Sequence, residues 1–107
     1  MENCVFCKLA LDKNKHIASN AHAFAVYDIA PQSKGHALVI TNRHATNYFE
    51  LNNEEVDAVH ALLKQVREKL KKEFSPAGFV VRSNDGKAAG QIVFHAHVHL
   101  IPAYESK

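Results

Sequence analysis

Apolar residues recur along this chain with two periods. Val56, Val59, Leu63, Val66 and Leu70 fall at three- and four-residue spacing, which lines them up on one side of a helix. Lys64, Glu68, Lys71 and Lys72 lie elsewhere on the wheel, and His60 belongs to the polar face. Asn52 can serve as N-cap, with Glu55 completing a capping box. Ser75-Pro76 stops this helix, because the residue before a proline is pushed out of the helical region.

The other segments read as short strands and turns. Ala23 to Tyr27 is rich in strand formers and runs into Asp28-Ile29-Ala30-Pro31, where the proline marks a turn. Gly35 precedes a second strand, His36 to Thr41. Residues 4–9 suggest a knuckle and a short helical turn, Asp12 to Lys15 a polar turn, and Asn42 to Leu51 a short helix. Gly78 to Asn84 is a further strand, Asp85 to Gly90 a loop with two glycines, and Val93 to Ile101 a last strand ended by Pro102. Strands of antiparallel character with one long helix predict an α+β domain, the helix covering one face of the sheet.

Composition narrows the class. With 107 residues, 47% of them hydrophobic, the chain reads as a single globular domain over residues 1–107. A core of this size gains from association or a metal staple. A net charge of +2 gives no argument for nucleic acid as a partner. No apolar run approaches the roughly 20 residues that span a bilayer, so no membrane partner is expected. Met1-Glu2-Asn3-Cys4 lacks the basic start and apolar core of a secretory signal, and the expected location is cytoplasmic. Thiols stay reduced there, so Cys4-x-x-Cys7 reads as half of a tetrahedral zinc site or as a reduced thiol pair, not as a structural disulfide. A thioredoxin-like redox pair fits poorly, since that motif follows a strand and opens a helix.

The chemistry concentrates in His95-Ala96-His97-Val98-His99, which holds three of the chain's eight histidines. On a strand, alternate side chains share a face. The three imidazoles would then project one way, and Phe94, Ala96, Val98 and Leu100 into the core. A neutral imidazole is nucleophilic near pH 7. Attack on phosphorus gives a phosphoramidate that water then cleaves, dividing one hard step into two. Neighbouring imidazoles can hydrogen-bond the charged oxygens. Alternate histidines on a strand can also share one zinc, which is the non-covalent alternative.

Gly90-Gln91-Ile92-Val93-Phe94-His95-Ala96-His97-Val98-His99-Leu100-Ile101 resembles the signature of the histidine-triad (HIT) superfamily. The likeness extends along the chain. Cys4-Val5-Phe6-Cys7, Tyr27-Asp28-Ile29-Ala30-Pro31, Gly35-His36-Ala37-Leu38-Val39-Ile40, Asn42-Arg43-His44 and Asn84-Asp85-Gly86 are similar, in order, to segments of its Hint-like branch. The resemblance implies a HIT fold: an antiparallel sheet of about five strands, one long and one short helix, and sheets joined across a homodimer. It implies a nucleotide hydrolase or nucleotidyl transferase acting on adenosine (purine) 5'-phosphoramidates or related AMP conjugates. Dinucleoside polyphosphate hydrolysis is the alternative, and a zinc-stabilised nucleotide-binding or interaction module with little turnover is a third reading.

By the same resemblance His97 is the nucleophile, His99 binds the phosphate and His36 stands beside it. Asp28 holds the ribose hydroxyls, Asn84 and Gln91 lie on the phosphate side, and Val5, Phe6, Leu9 and Val26 line the base pocket. A structural zinc would take Cys4, Cys7, His44 and His95. The chain departs from the branch at Ile92, where a serine often assists the leaving group; isoleucine cannot donate a hydrogen bond.

Overall fold

The architecture described here is that of a computed structural model covering residues 3–105. Cys4 begins it: its thiol accepts the backbone N–H of Cys7 at 3.3 Å and caps a short helix, α1 (Val5–Leu11). Five strands follow along the chain: β1 (Ala18–Ser19), β2 (Ala23–Tyr27), β3 (Ala37–Thr41), β4 (Gly78–Arg82) and β5 (His97–Ala103). They form one antiparallel sheet in the order β1-β2-β3-β5-β4. Between β3 and β4 lies the long helix α2 (Asn53–Phe74), which opens with both halves of the capping box formed by Asn52 and Glu55. Ser75, in the left-handed conformation, closes it.

The sheet separates two apolar layers. On one face α2 packs Val59, Leu62, Val66 and Leu70 against Ala23, Ala25, Ala37, Val39, Val98 and Leu100. On the other, Phe6 of α1 closes over Phe24, Val26, Leu38 and Ile40, with Cys4, Leu9 and Val93 beside it. Alternation along β5 therefore sends Val98 and Leu100 toward α2 and His97 and His99 toward α1. Gly35 introduces β3 with φ +90°, and its Cα faces the Phe74 ring and Pro102. A Cβ there would approach Phe74 Cδ2 to 2.8 Å, so the turn before His36 is seated directly on the end of α2.

Several expectations need correction. Residues 42–51 hold only a single 3-10 turn, Tyr48–Glu50, and not an α-helix. Polar side chains take up the backbone there. Glu50 accepts from Thr46 N–H, Asn47 from Phe49 N–H, and Arg43 donates to the Glu50 carbonyl, competing with helical pairing. The last strand begins at His97 rather than Val93 and continues through Pro102 to Ala103. Its expected first residues are committed elsewhere: Ala96 N–H donates to the Ala45 carbonyl at 2.7 Å and Gln91 caps the Val93 carbonyl. Phe94 is consequently 45% exposed instead of lying in the core. The fourth strand stops at Arg82, short of Asn84. In α2 the buried stripe includes Leu62, while Val56 and Leu63 are only half-buried. Among the described residues no helix is long and apolar enough to cross a membrane.

Candidate active site

The cavity on the α1 face gathers the residues that the sequence singled out. His97, His99, His36, Asp28, Asn84, Gln91, Val5, Phe6, Leu9 and Val26 all line one space of about 460 Å³. The chain brings them there from β5, from the turns flanking β2 and β3, from α1, and from the loop between β4 and β5.

His97 is half-buried, its ring edge-on to Phe6 at 5.0 Å between centroids. Its Nδ1 lies 2.7 Å from the His95 carbonyl oxygen. A carbonyl can only accept, so Nδ1 carries the proton and Nε2 keeps its lone pair. Burial lowers the His97 pKa, against a smaller opposing pull from that hydrogen bond. The ring is therefore neutral and held in one tautomer near pH 7.

A second relay orients His99. Gln32 N–H donates to His36 Nδ1 at 3.0 Å, so the His36 proton resides on Nε2. That nitrogen lies 3.0 Å from His99 Nδ1 and donates to it, which places the His99 proton on Nε2. His99 thus presents a neutral N–H donor. Burial, followed by the charges of His97, His36 and Arg82, pushes its pKa down to about 4. Burial likewise lowers His36, opposed by Asp28, whose Oδ2 stands 3.5 Å from His36 Nε2. Asp28 Oδ1 accepts the Ala30 N–H at 2.9 Å, which fixes the carboxylate at the cavity edge.

The two carboxamides differ in how much of them remains available. Gln91 is buried and fully engaged: Oε1 accepts Gly86 N–H, while Nε2 donates to the Thr46 and Val93 carbonyls. It braces the loop that forms the cavity wall. Asn84 donates from Nδ2 to the Ala89 carbonyl and, among the described residues, has no such bond at its oxygen. Tyr27, Leu38 and Val93, which lie in the family-like segments without an assigned role, also line the cavity, as do Arg82 and Gln32, which lie outside those segments. For Arg82 the missing information was the parity of β4, which pairs it with His99.

Beside this cavity a second group converges. Donor atoms of Cys4, Cys7, His44 and His95 all lie within 4.8 Å of one another. Cys4 Sγ is 3.2 Å from His95 Nδ1, and Cys7 Sγ is 3.3 Å from His44 Nδ1 and 3.5 Å from His95 Nδ1. A tetrahedral zinc with ordinary sulfur and nitrogen bond lengths implies S···N edges of ~3.5 Å, so the donor set fits that metal in number, chemistry and spacing. His95 is fully buried and its Nε2 donates to the Thr41 carbonyl at 2.7 Å, leaving Nδ1 as the free donor, as a ligating histidine requires. Both thiols are unpaired, and burial raises the Cys7 pKa, with Cys4 adding to the effect.

Comparison with known proteins agrees with this geometry. The family model described as the HIT domain matches residues 12–106. An uncharacterized 16.1 kDa HIT-like protein of Mycoplasma pneumoniae is 42% identical over 106 residues, covering 97% of this chain and 74% of that protein. The adenosine 5'-monophosphoramidase hnt1 of Schizosaccharomyces pombe is 39% identical over 102 residues, 94% of this chain and 74% of the relative. The crystal structure of a HIT family protein from Bacillus anthracis superposes with a TM-score of 0.90 at 37% identity, covering 98% of this chain and 76% of the other. Sequence and fold agree, and the chain belongs to the HIT superfamily, in its Hint-like branch.

Proposed function

We propose that the protein hydrolyses or transfers the nucleotidyl group of adenosine (purine) 5'-phosphoramidates and related AMP conjugates through a nucleotidyl-His97 intermediate. One observation carries this reading: His97 faces the cavity with Nδ1 tied to the His95 carbonyl, so its nucleophilic Nε2 is available without prior deprotonation. The relative named an adenosine 5'-monophosphoramidase supports the substrate class.

In the first step Nε2 of His97 bonds to the phosphorus and the bond to the leaving amine breaks, the amine departing with a proton from water. Positive charge develops on the imidazole and strengthens the Nδ1–H bond to the His95 carbonyl, so that carbonyl acts mainly in the transition state. The His99 Nε2–H donates to a phosphoryl oxygen. In the second step water attacks the phosphorus, the bond to His97 breaks, and AMP leaves. Asp28 accepts from the ribose hydroxyls, an arrangement suited to a vicinal diol, and Val5, Phe6, Leu9 and Val26 offer apolar surface to the base. Gln91 acts through the loop it braces, and Asn84, with one Nδ2–H given to the Ala89 carbonyl, has a second N–H to donate on the phosphate side.

Cys4, Cys7, His44 and His95 would hold a structural zinc, which contributes folding energy when bound and fastens the N-terminal segment to the strand of the nucleophile. A homodimer is the expected assembly: the edge strand β4 exposes Val80 at 46% and Val81 at 60%, and light scattering at micromolar concentration should return twice the chain mass.

The deciding experiment compares turnover of an adenosine phosphoramidate with that of diadenosine polyphosphates on one preparation, with mass spectrometry of acid- and base-quenched protein. Faster phosphoramidate turnover and an AMP adduct on His97 are expected. Faster polyphosphate cleavage would move the protein to the alternative substrate class, and absence of both turnovers would leave a binding module.

A further inference from the structure

Among the described residues that line the cavity, Arg82 is the only lysine or arginine and Asp28 the only carboxylate. The hydrogen bonds accepted at Nδ1 of His36 and at Nδ1 of His99 leave each of these rings one proton and no charge. An anion entering the site therefore meets one formal cation.

Its position is set by the sheet. Arg82 is the last residue of β4 and the register partner of His99 on β5. Directly opposed residues of an antiparallel pair project from the same face, about 5 Å apart at Cβ. Phe79 packs toward α2, so alternation independently turns Arg82 to the opposite, α1 side. As the register partner of His99, it flanks the donor histidine.

Arg82 has no ion pair or side-chain hydrogen bond among the described residues, and its Nε is the one buried side-chain nitrogen or oxygen left without a partner. Desolvating a guanidinium N–H without an acceptor is costly. Asp28, the one carboxylate among the described residues lining the cavity, stands beside His36 Nε2 at 3.5 Å instead.

We propose that Arg82 is a phosphate-binding residue of this site, its guanidinium pairing with a non-bridging phosphoryl oxygen of the bound nucleotide beside the His99 N–H. This inference rests on the nucleotidyl reading above and assigns a residue that reading does not use. The phosphate would complete the hydrogen bonding of Arg82, and the charge-assisted pair supplies what neutral imidazoles cannot. The site would accordingly discriminate AMP from adenosine mainly through Arg82.

The test measures calorimetric affinities of AMP and of adenosine for wild type, Arg82→Gln and Arg82→Lys, at low and high salt, with melting temperatures as a check on folding. In Arg82→Gln the AMP affinity should fall about tenfold or more, while adenosine affinity stays as in wild type. Arg82→Lys should recover part of the loss. The salt dependence of AMP binding should be weaker in Arg82→Gln, because a screened ion pair is gone. A ratio of AMP to adenosine affinity equal to that of wild type would overturn the proposal, as would a parallel loss of both ligands. If wild type itself binds AMP no better than adenosine, the nucleotidyl reading falls as well. An intact wild-type preference with an unchanged variant ratio refutes the role of Arg82 alone.

Discussion

Replacing His97 by alanine separates chemistry from architecture. The side chain makes one hydrogen bond, to the His95 carbonyl at 2.7 Å, and two aromatic contacts, with Phe6 at 5.0 Å and His99 at 5.2 Å between centroids. Its chain neighbours Ala96 and Val98 remain buried beneath it. His97 itself lines the cavity, so truncating it opens a path by which water can replace the hydrogen bond. A structural cost of about 2 kcal/mol follows from the lost hydrogen bond and the opened contact, small beside the 5–15 kcal/mol that typically separates folded from unfolded domains. The chemical cost is larger: losing the nucleophile should slow turnover by about 10³-fold or more, corresponding to ~4 kcal/mol of barrier. Turnover of an adenosine phosphoramidate, AMP affinity and urea denaturation of the same His97→Ala sample test this together. Turnover should collapse, AMP affinity should change little, and the denaturation midpoint should move modestly. A variant that keeps turnover within about tenfold of wild type, or a wild type that shows no adduct under any quench, would refute the covalent mechanism.

Three other outcomes are expected. Reduced protein purified without chelator and supplied with zinc should carry about one zinc per chain, and Cys7→Ser should lose it and melt at lower temperature; metal analysis finding none in wild type would count against the site. Stability should fall on acidification through the histidine range. Above about pH 6.5 His99 is neutral folded and unfolded; between there and its folded value of about 4 only the unfolded chain takes the proton, so stability drops as pH falls. The loss is complete below about pH 4, at about 3 kcal/mol for His99 alone, with His36 and His97 acting in the same direction; urea titrations between pH 7 and 4 read it. Gly35→Ala should cost about 2–3 kcal/mol, because the new Cβ meets Phe74 at 2.8 Å and φ is +90°; an unshifted denaturation midpoint would contradict that packing.

What could be read from residues alone followed from local rules. The capping box at Asn52 and Glu55, the stop at Ser75 and the strand Ala23–Tyr27 depend on nearby spacing and appear where expected. The cavity residues were reachable because the motifs that carry them extend along most of the chain. What escaped was set by distant partners. The loop after β3 draws its hydrogen bonds from Glu50 and Glu55, and its Ala45 carbonyl takes the Ala96 N–H, so neither the missing helix nor the late start of β5 is visible in local propensity. The shared face of His95, His97 and His99 survives even though His95 precedes the strand: its ring lies on the α1 side with His97, against the thiols and Phe6. The face of Arg82 depended on cross-strand register with His99, a relation no single segment encodes.

His95 has three obligations at once. One ring nitrogen joins the thiols, the other holds the Thr41 carbonyl, and its own carbonyl orients His97. Evolutionary change at this point is therefore constrained in length as well as in identity. A single inserted residue between His95 and His97 would either withdraw the carbonyl from the His97 ring or drag the His95 ring out of the cysteine cluster. Substitution is less confining. A lineage could discard both cysteines, provided that some other contact kept the peptide at this position facing the same way, whereas no replacement elsewhere could compensate for a change in the spacing.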